Sequence, residues 1–290
     1  MKGQGYALGE KIVLLCLVPG QAGHPTKKVK PRVLVHIVLV CLLFAAACRT
    51  AEVLPPAGPP PGQGNADGAD GKPGPSIDAL GPVGSAARQI LQPEPFTEIV
   101  IEIAFVEGRE PNPDTIAHLE REIERASQKA VSIDVHEIRG GKGSYTSSDI
   151  RGLSESSGTE SAPPRASIFL AFLDGGFAEN DQALGVAVAA TVAAVFPDRI
   201  GSLSTLLQPG GVERAVAVHE VGHILALVNL GYEGASDRED PEHPNHSSNK
   251  ASVMYWAVET LAVADVFRGG PPDQFDEADI ADLRMLAGGA

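Results

Sequence analysis

Strand-like hydrophobic patterning begins at residue 97. Residues 97–106 and 131–136 alternate polar and apolar side chains, which is the two-residue period of a half-buried strand. Residues 166–173 form a short apolar run, and residues 184–196, rich in Val and Ala, predict another strand near a sheet edge. Residues 140–164 are polar and predict a loop.

Three segments have helical patterning. Residues 115–129 place apolar side chains on one face, and Asp114 is the expected N-cap. Residues 211–230 are apolar almost throughout, which predicts a buried helix. Residues 275–286 predict a final helix that Asp273 would cap.

These elements all fall within residues 96–290, where we expect one folded domain. A strand, a helix, three strands and two helices, in that order, are typical of an α+β fold with a mixed twisted sheet. Apolar residues make up 43% of the chain and aromatic residues only 5%, so the core should be mainly aliphatic.

Residues 1–48 have the pattern of an export signal. A basic cluster precedes an apolar run, residues 33–44, that is shorter than the roughly 20 residues a membrane-spanning helix needs. The small residues that follow, ending at Cys48, resemble the lipobox of bacterial lipoproteins, in which the cysteine is lipidated. This resemblance implies a lipid-anchored protein of the cell envelope. Arg49, where Asp would favour inner-membrane retention, points to the outer membrane.

Residues 49–95 predict a flexible linker between this anchor and the domain. Thirteen of the twenty-one residues from Pro55 to Pro75 are Pro or Gly, a composition that forms no packed element. The bias fades over residues 77–92, which the sequence leaves open as either tether or a short pro-segment.

Charge and cysteine content exclude several classes of function. Residues 49–290 hold 17 basic and 36 acidic groups, a net charge of −19, which repels phosphate backbones and argues against a nucleic-acid partner. The three cysteines, Cys16, Cys41 and Cys48, all lie in the first 48 residues. The folded domain therefore has neither a disulfide framework nor a thiolate metal site.

Between Arg214 and Asn229, three polar residues interrupt the apolar helix predicted over residues 211–230. His219 and His223 are four positions apart, so both imidazoles project from one face, as a tetrahedral Zn²⁺ requires. Glu220 lies beside them and could take a proton from water activated by zinc. The alternative is that all three are core residues satisfied by neighbours, which is costly on so apolar a helix.

The segment that follows the predicted helix resembles part of a group of zinc peptidases. Residues 246–254 resemble the archaemetzincins, a group of metzincin peptidases in which a third His is followed by Cys, four residues, Cys, one residue and Met. Ser247 and Ser252 stand in the two cysteine positions. This resemblance implies His246 as third zinc ligand and Met254 as the Met-turn, the apolar floor beneath the metal.

Other third ligands stay open. His243 is three residues before His246, and Glu259 would make the site similar to the gluzincins, where a later Glu binds zinc. The short metzincin consensus fails, because Ala226 and Asn229 stand where it has Gly and His, and Asn229 is a weak ligand.

The resemblance implies a zincin-like domain that acts as a zinc-dependent endopeptidase, with Zn²⁺ as cofactor and a peptide or protein as substrate, working at the bacterial cell envelope. The alternative is a degenerate zincin-fold surface lipoprotein that binds a partner without hydrolysis. Glu220 favours the enzyme, because a purely structural zinc site has no use for a general base.

Overall fold

The computed structural model describes residues 75–288. The predicted signal region, Cys48 and the linker up to residue 74 lie outside the described residues. The strands within them are β1 Glu98–Val106, β2 Ala130–Ile138, β3 Ser144–Tyr145, β4 Arg165–Phe172, β5 Gly176–Phe177, β6 Gly185–Ala189, β7 Val192–Val195, β8 Glu239–Asp240 and β9 His243–Ser247. The α-helices are α1 Ala87–Leu91, α2 Pro113–Ser127, α3 Ser147–Ser157, α4 Pro197–Gly201, α5 Pro209–Ile224, α6 Val263–Val266 and α7 Glu277–Leu286, and a 3₁₀ helix spans Trp256–Glu259.

A five-stranded mixed sheet organises the chain. Its strand order is β2-β1-β4-β7-β6. Strands β2, β1, β4 and β7 run parallel to one another. Strand β6, at the edge, runs antiparallel to β7. The prediction of a mixed sheet is thus confirmed, as are the strands at β1, β2 and β4.

Two predictions of secondary structure are wrong. The expected single strand over residues 184–196 is the hairpin β6–β7, because its turn is held from outside: the N–H groups of Ala190 and Thr191 donate to the carbonyls of Gly81 and Ala79. The polar region 140–164, expected as a loop, contains α3.

Helix α3 begins with a capping box in which Thr146 and Asp149 exchange side-chain-to-backbone hydrogen bonds. Its buried Ile150 joins the hydrophobic core on the face of the sheet opposite to α2 and α5. Strand β1 is therefore buried on both faces, and even Glu102 is only 5% exposed. Its Oε2 accepts the N–H of Thr159 at 2.8 Å, which satisfies the buried carboxylate.

The predicted caps also need correction. Asn112, not Asp114, is the N-cap of α2, because its side chain accepts the N–H of Asp114 at 2.9 Å. Helix α7 is capped by Asp276 rather than Asp273, since Asp276 and Asp279 form a capping box.

The packed part of the chain begins before residue 96, inside the range that the sequence assigns to the linker. Ile90 and Leu91 of α1 are buried in the same core as α2 and α5. The ammonium of Lys129 contacts the carbonyl oxygens of Ile90 at 2.5 Å and Gln92 at 2.6 Å, and also that of Phe96. Lys129 thereby connects the carboxyl end of α1 to the residues that lead into β1.

Within residues 75–288, no helix combines the length and the apolar character needed to cross a bilayer.

We expect Lys129→Met to lower the free energy of unfolding by about 2 kcal/mol, because three buried carbonyls lose a charged donor. Urea unfolding followed by circular dichroism measures this. Lys142→Met is the matched control, since Lys142 pairs with Asp149 at the surface, where an ion pair contributes less than about 1 kcal/mol. Equal effects of the two changes would contradict the role assigned to Lys129.

Candidate metal site

Helix α5 carries the first three residues of the site through the middle of the core. It packs against α2 on one side and the β6–β7 hairpin on the other. His219 and Glu220 have no solvent exposure and His223 has 6%. All three are ionisable, so their burial is costly unless each finds a partner.

The two histidines of α5 face each other. Their ring centroids are 4.6 Å apart, and their Nε2 atoms are 3.0 Å apart. Nδ1 of His219 lies 2.7 Å from the carbonyl oxygen of Val253. When its proton is on Nδ1, His219 donates a hydrogen bond to this carbonyl and its Nε2 lone pair stays free. This is the usual arrangement of a metal-binding histidine.

The β8–β9 hairpin brings His246 to the same point. Its ring lies 5.3 Å from that of His219 and 5.0 Å from that of His223, and its Nδ1 lies 3.0 Å from the carbonyl oxygen of Pro244. His243 lies apart from this group: it stacks on Trp256 at 4.2 Å, and its Nδ1 is 3.2 Å from Asp240.

Glu259 completes a cluster of four side chains that could hold a metal ion. One donor atom from each of His219, His223, His246 and Glu259 lies within 4.8 Å of every other. Oε1 of Glu259 is 3.0 Å from Nε2 of His246, and Oε2 is 3.5 Å from Nε2 of His219 and 3.8 Å from that of His223.

Glu220 stands beside the cluster without joining it. Both of its carboxylate oxygens are buried and lack a well-formed hydrogen bond within the described residues. Burial and then the charge of Glu259 raise the pKa of Glu220 well above its usual range, while the backbone of Ala187 opposes the shift. A Cβ at Gly185 of β6 would lie 2.5 Å from Oε1, so the glycine makes room for the carboxylate.

The pKa values of the cluster reflect crowded, buried charge. Burial and the neighbouring His219 lower the pKa of His223 well below its usual range. Burial would raise the pKa of Glu259, but hydrogen bonding to His219 and His246 lowers it well below its usual range. For His246 burial acts to lower the pKa, and Glu259 outweighs it and raises the pKa.

This donor set fits zinc. Three imidazole nitrogens and a carboxylate are ligands that Zn²⁺ accepts. Nδ1 of His219 and of His246 each face a backbone carbonyl, which leaves their Nε2 atoms for the ion. The unpartnered buried carboxylate of Glu220 is the group that a nearby cation and its water would satisfy.

Helix α5 ends at Ile224 rather than at the predicted residue 230, because the chain changes direction shortly after His223. Ala226, Val228 and Asn229 have φ values of 62°, 56° and 63°. Left-handed residues cannot continue an α-helix, and Ala226 takes this conformation where the metzincin consensus has glycine.

Asn229 is not part of the cluster but supports it. Its Nδ2 donates to Oε2 of Glu239 at 3.1 Å, and its Oδ1 accepts the N–H of Gly234 at 2.8 Å. Oε1 of Glu239 accepts the N–H of Asn245 at 2.7 Å. Asn229 therefore connects the turn after α5 to the hairpin that carries His246.

Met254 is fully buried and packs against Gly222 of α5. A Cβ at Gly222 would overlap the Sδ atom of Met254, which explains why this helix position has no side chain. Since the carbonyl of Val253 orients His219, the Met254 loop both supports α5 and directs one imidazole.

The serines in the two cysteine positions tie the hairpin to this loop. The N–H of Ser247 donates to the carbonyl of Met254 at 2.8 Å. Oγ of Ser252 accepts the N–H of Met254 at 3.0 Å and lies 3.2 Å from Oδ2 of Asp279, to which it donates. Both serines have no exposure.

A buried ion-pair network anchors the same region, and the sequence did not reveal it. The guanidinium of Arg238 contacts Asp279 and Asp282 of α7, each at 2.6 Å. The carbonyl of Arg238 accepts the N–H of Ser248 at 2.8 Å. Arg238 lies in a run rich in acidic residues, 233–242, so only its partners on α7 reveal its role.

We expect His246→Ala to weaken zinc binding by more than about 100-fold, because it removes a donor atom from the cluster. His243→Ala is the matched control and should leave the affinity within about threefold. Competition with a chromogenic chelator measures both affinities. A large loss in the His243 variant and none in the His246 variant would refute the assignment.

Four chains among the solved structures are similar to this protein. No protein-family model matches the chain, and no curated protein matches it. An archaemetzincin from Methanopyrus kandleri is 15% identical with a TM-score of 0.44, and the alignment covers 66% of this chain and 97% of that one. An archaemetzincin from Archaeoglobus fulgidus, complexed with malonate, is 18% identical with a TM-score of 0.36 over 64% and 99% of the chains. A zinc-dependent peptidase from Methanocorpusculum labreanum is 14% identical with a TM-score of 0.40 over 63% and 99%. These sequence identities and TM-scores are too low to support a function for this chain. Any functional proposal must therefore rest on the geometry of the site.

Proposed function

We propose that this protein is a zinc-dependent endopeptidase. The observation that carries the proposal is the pairing of two features: a cluster of three imidazole nitrogens, and a buried carboxylate beside it that lacks a well-formed hydrogen bond. His219, His223 and His246 would hold the zinc, and Glu220 would be free to exchange protons.

Bound zinc supplies a Lewis acid that polarises a peptide carbonyl and makes water more acidic. Glu220 takes the proton from the attacking water and delivers it to the leaving amine. Its burial suits this exchange, because a carboxylate in an apolar site accepts a proton more readily than one in water. Met254 and Val253 keep α5 and His219 in position during the reaction.

A peptide is the substrate class that fits the sheet. Strand β6 is an edge strand whose only ladder partner in the five-stranded sheet is β7. Gly185 at its start lies against Glu220. An extended peptide that pairs with this edge would run past the general base, and backbone hydrogen bonds would align it.

One observation favours the second candidate, a zinc-binding domain that recognises a partner without hydrolysis. Glu259 brings the number of donors to four, which is the number typical of structural zinc sites. Glu220 distinguishes the two candidates, because only hydrolysis requires it.

We further propose that the protein is exported and lipid-anchored through Cys48, in the outer membrane. The support comes from the sequence alone, in the apolar run that ends at the lipobox-like residues 45–48.

We expect Glu220→Gln to leave zinc content unchanged and to slow peptide hydrolysis by on the order of 100- to 10,000-fold, because the amide cannot accept the proton. Cleavage of a mixed peptide library, followed by mass spectrometry, measures the rate. Glu213→Gln is the matched control on the same helix, since Glu213 only accepts the N–H of Asn112. Undiminished hydrolysis in the Glu220 variant would remove this residue from the mechanism, and no hydrolysis by the unaltered protein would favour the partner-binding candidate.

We expect Cys48→Ser to move the protein from the membrane fraction to the soluble fraction of a bacterial host, because serine offers no thiol for lipid attachment. Cys41→Ser is the control and should stay with the membranes. Continued membrane association of the Cys48 variant would count against the lipid anchor.

A further inference from the structure

Glu259 approaches the three histidines from a different part of the chain. It ends the 3₁₀ helix Trp256–Glu259, directly after the Met254 loop. Its side chain makes no ion pair within the described residues other than those with His219, His223 and His246. The carboxylate is therefore directed at the same point as the imidazoles.

Several donor-to-donor distances within the cluster are close to those expected around a four-coordinate zinc ion. Donors at about 2.0–2.1 Å from zinc lie about 3.3–3.4 Å from one another. The separations of Glu259 oxygens from the three Nε2 atoms are 3.0, 3.5 and 3.8 Å. The Nε2 atoms of His219 and His223 are 3.0 Å apart. Glu259 could therefore donate a fourth ligand atom to a zinc ion held by the three histidines, in the position that catalytic zinc sites leave for water or substrate.

The backbone of this segment is held while its side chain keeps access to solvent. The N–H of Leu184 donates to the carbonyl of Glu259 at 2.7 Å, and the N–H of Leu261 donates to the carbonyl of Gln182 at 2.9 Å. These bonds fix residues 259–261 against the chain just before β6. The Glu259 side chain is 23% exposed, whereas Glu220 has no exposure. The Glu259 side chain, unlike that of Glu220, therefore reaches solvent.

We propose that Glu259 is a fourth, displaceable zinc ligand that keeps the resting site closed. This inference rests on the proposed function, since it requires zinc on the three histidines. On entry of a peptide, Glu259 would withdraw and leave the metal accessible to water and substrate. A displaceable ligand fits the neighbouring Glu220, whose buried carboxylate lacks a well-formed hydrogen bond within the described residues and would act as a base only at an accessible metal.

Cobalt substitution of the full-length chain tests the proposal without relying on hydrolysis. Co²⁺ replaces Zn²⁺ and has visible absorption bands that respond to the number and kind of its ligands, and azide is a small anion that binds to an open vertex. Azide titrations would compare the unaltered protein with Glu259→Ala and with Glu259→Gln, which keeps the size of the side chain. Glu242→Gln is the matched control, since Glu242 is exposed.

We expect azide to bind the Co²⁺ form of Glu259→Ala at least about tenfold more tightly than the unaltered protein, because no carboxylate has to be displaced. Zinc affinity should fall by on the order of 10- to 100-fold in the same variant. Glu259→Gln should shift both quantities in the same directions, and Glu242→Gln should shift neither. Thermal unfolding of the metal-free proteins checks that each variant is folded.

The outcomes separate this proposal from the proposed function. If zinc binds and is lost on His219→Ala, but both Glu259 variants match the unaltered protein in zinc affinity and azide binding, Glu259 is not a ligand and the zinc site stands. If the unaltered protein takes up neither zinc nor cobalt, the proposed function fails and this proposal fails with it.

Discussion

The burial of ionisable side chains at one point is the constraint on which the structure depends. His219, Glu220 and His223 lie on a helix surrounded by apolar side chains, and His246 and Glu259 come from two later segments. Removing such groups from water costs several kcal/mol each unless charge and hydrogen bonds compensate. A cation bound to the imidazoles and the carboxylate would supply this compensation, which would make the core of the domain and its site a single arrangement.

The surrounding elements hold the later segments to α5. Ala226 and Asn229 reverse the chain after the helix, and Asn229 then binds Glu239 next to the His246 hairpin. Met254 fills the space that Gly222 leaves, and the neighbouring carbonyl directs His219. The residues that bring the ligands together are therefore more numerous than the ligands themselves, and most of them are uncharged.

The sequence predicted the elements whose signals are local. Strand β1 and helix α2 have clear apolar periods, and strand β4 and helix α5 are apolar almost throughout. The positions of all four are correct to within a few residues except at the end of α5. Helix α3 was missed because Ile150 is its only buried residue, so its pattern resembles that of a loop. The Thr146–Asp149 capping box was the signal that could have revealed it.

The site was predictable only in part for the same reason. The spacing of His219 and His223 follows from one helix, and His246 followed from the resemblance of the segment around Met254. Glu259 was named only as one of several third ligands, because no local pattern shows that it faces the same point as His246. The pairing of Arg238 with Asp279 and Asp282 joins residues about forty positions apart, and no periodicity reports such a contact.

The network of Arg238, Asp279 and Ser252 has a consequence for the conditions in which the site can persist. Residues 49–290 contain no cysteine, and the hairpin that carries His246 is anchored by an ion pair and hydroxyl groups. Oxidants therefore have no thiol to attack in this anchor. The ion pair and the hydroxyl groups hold the hairpin of the third histidine without a disulfide that a reductant could open.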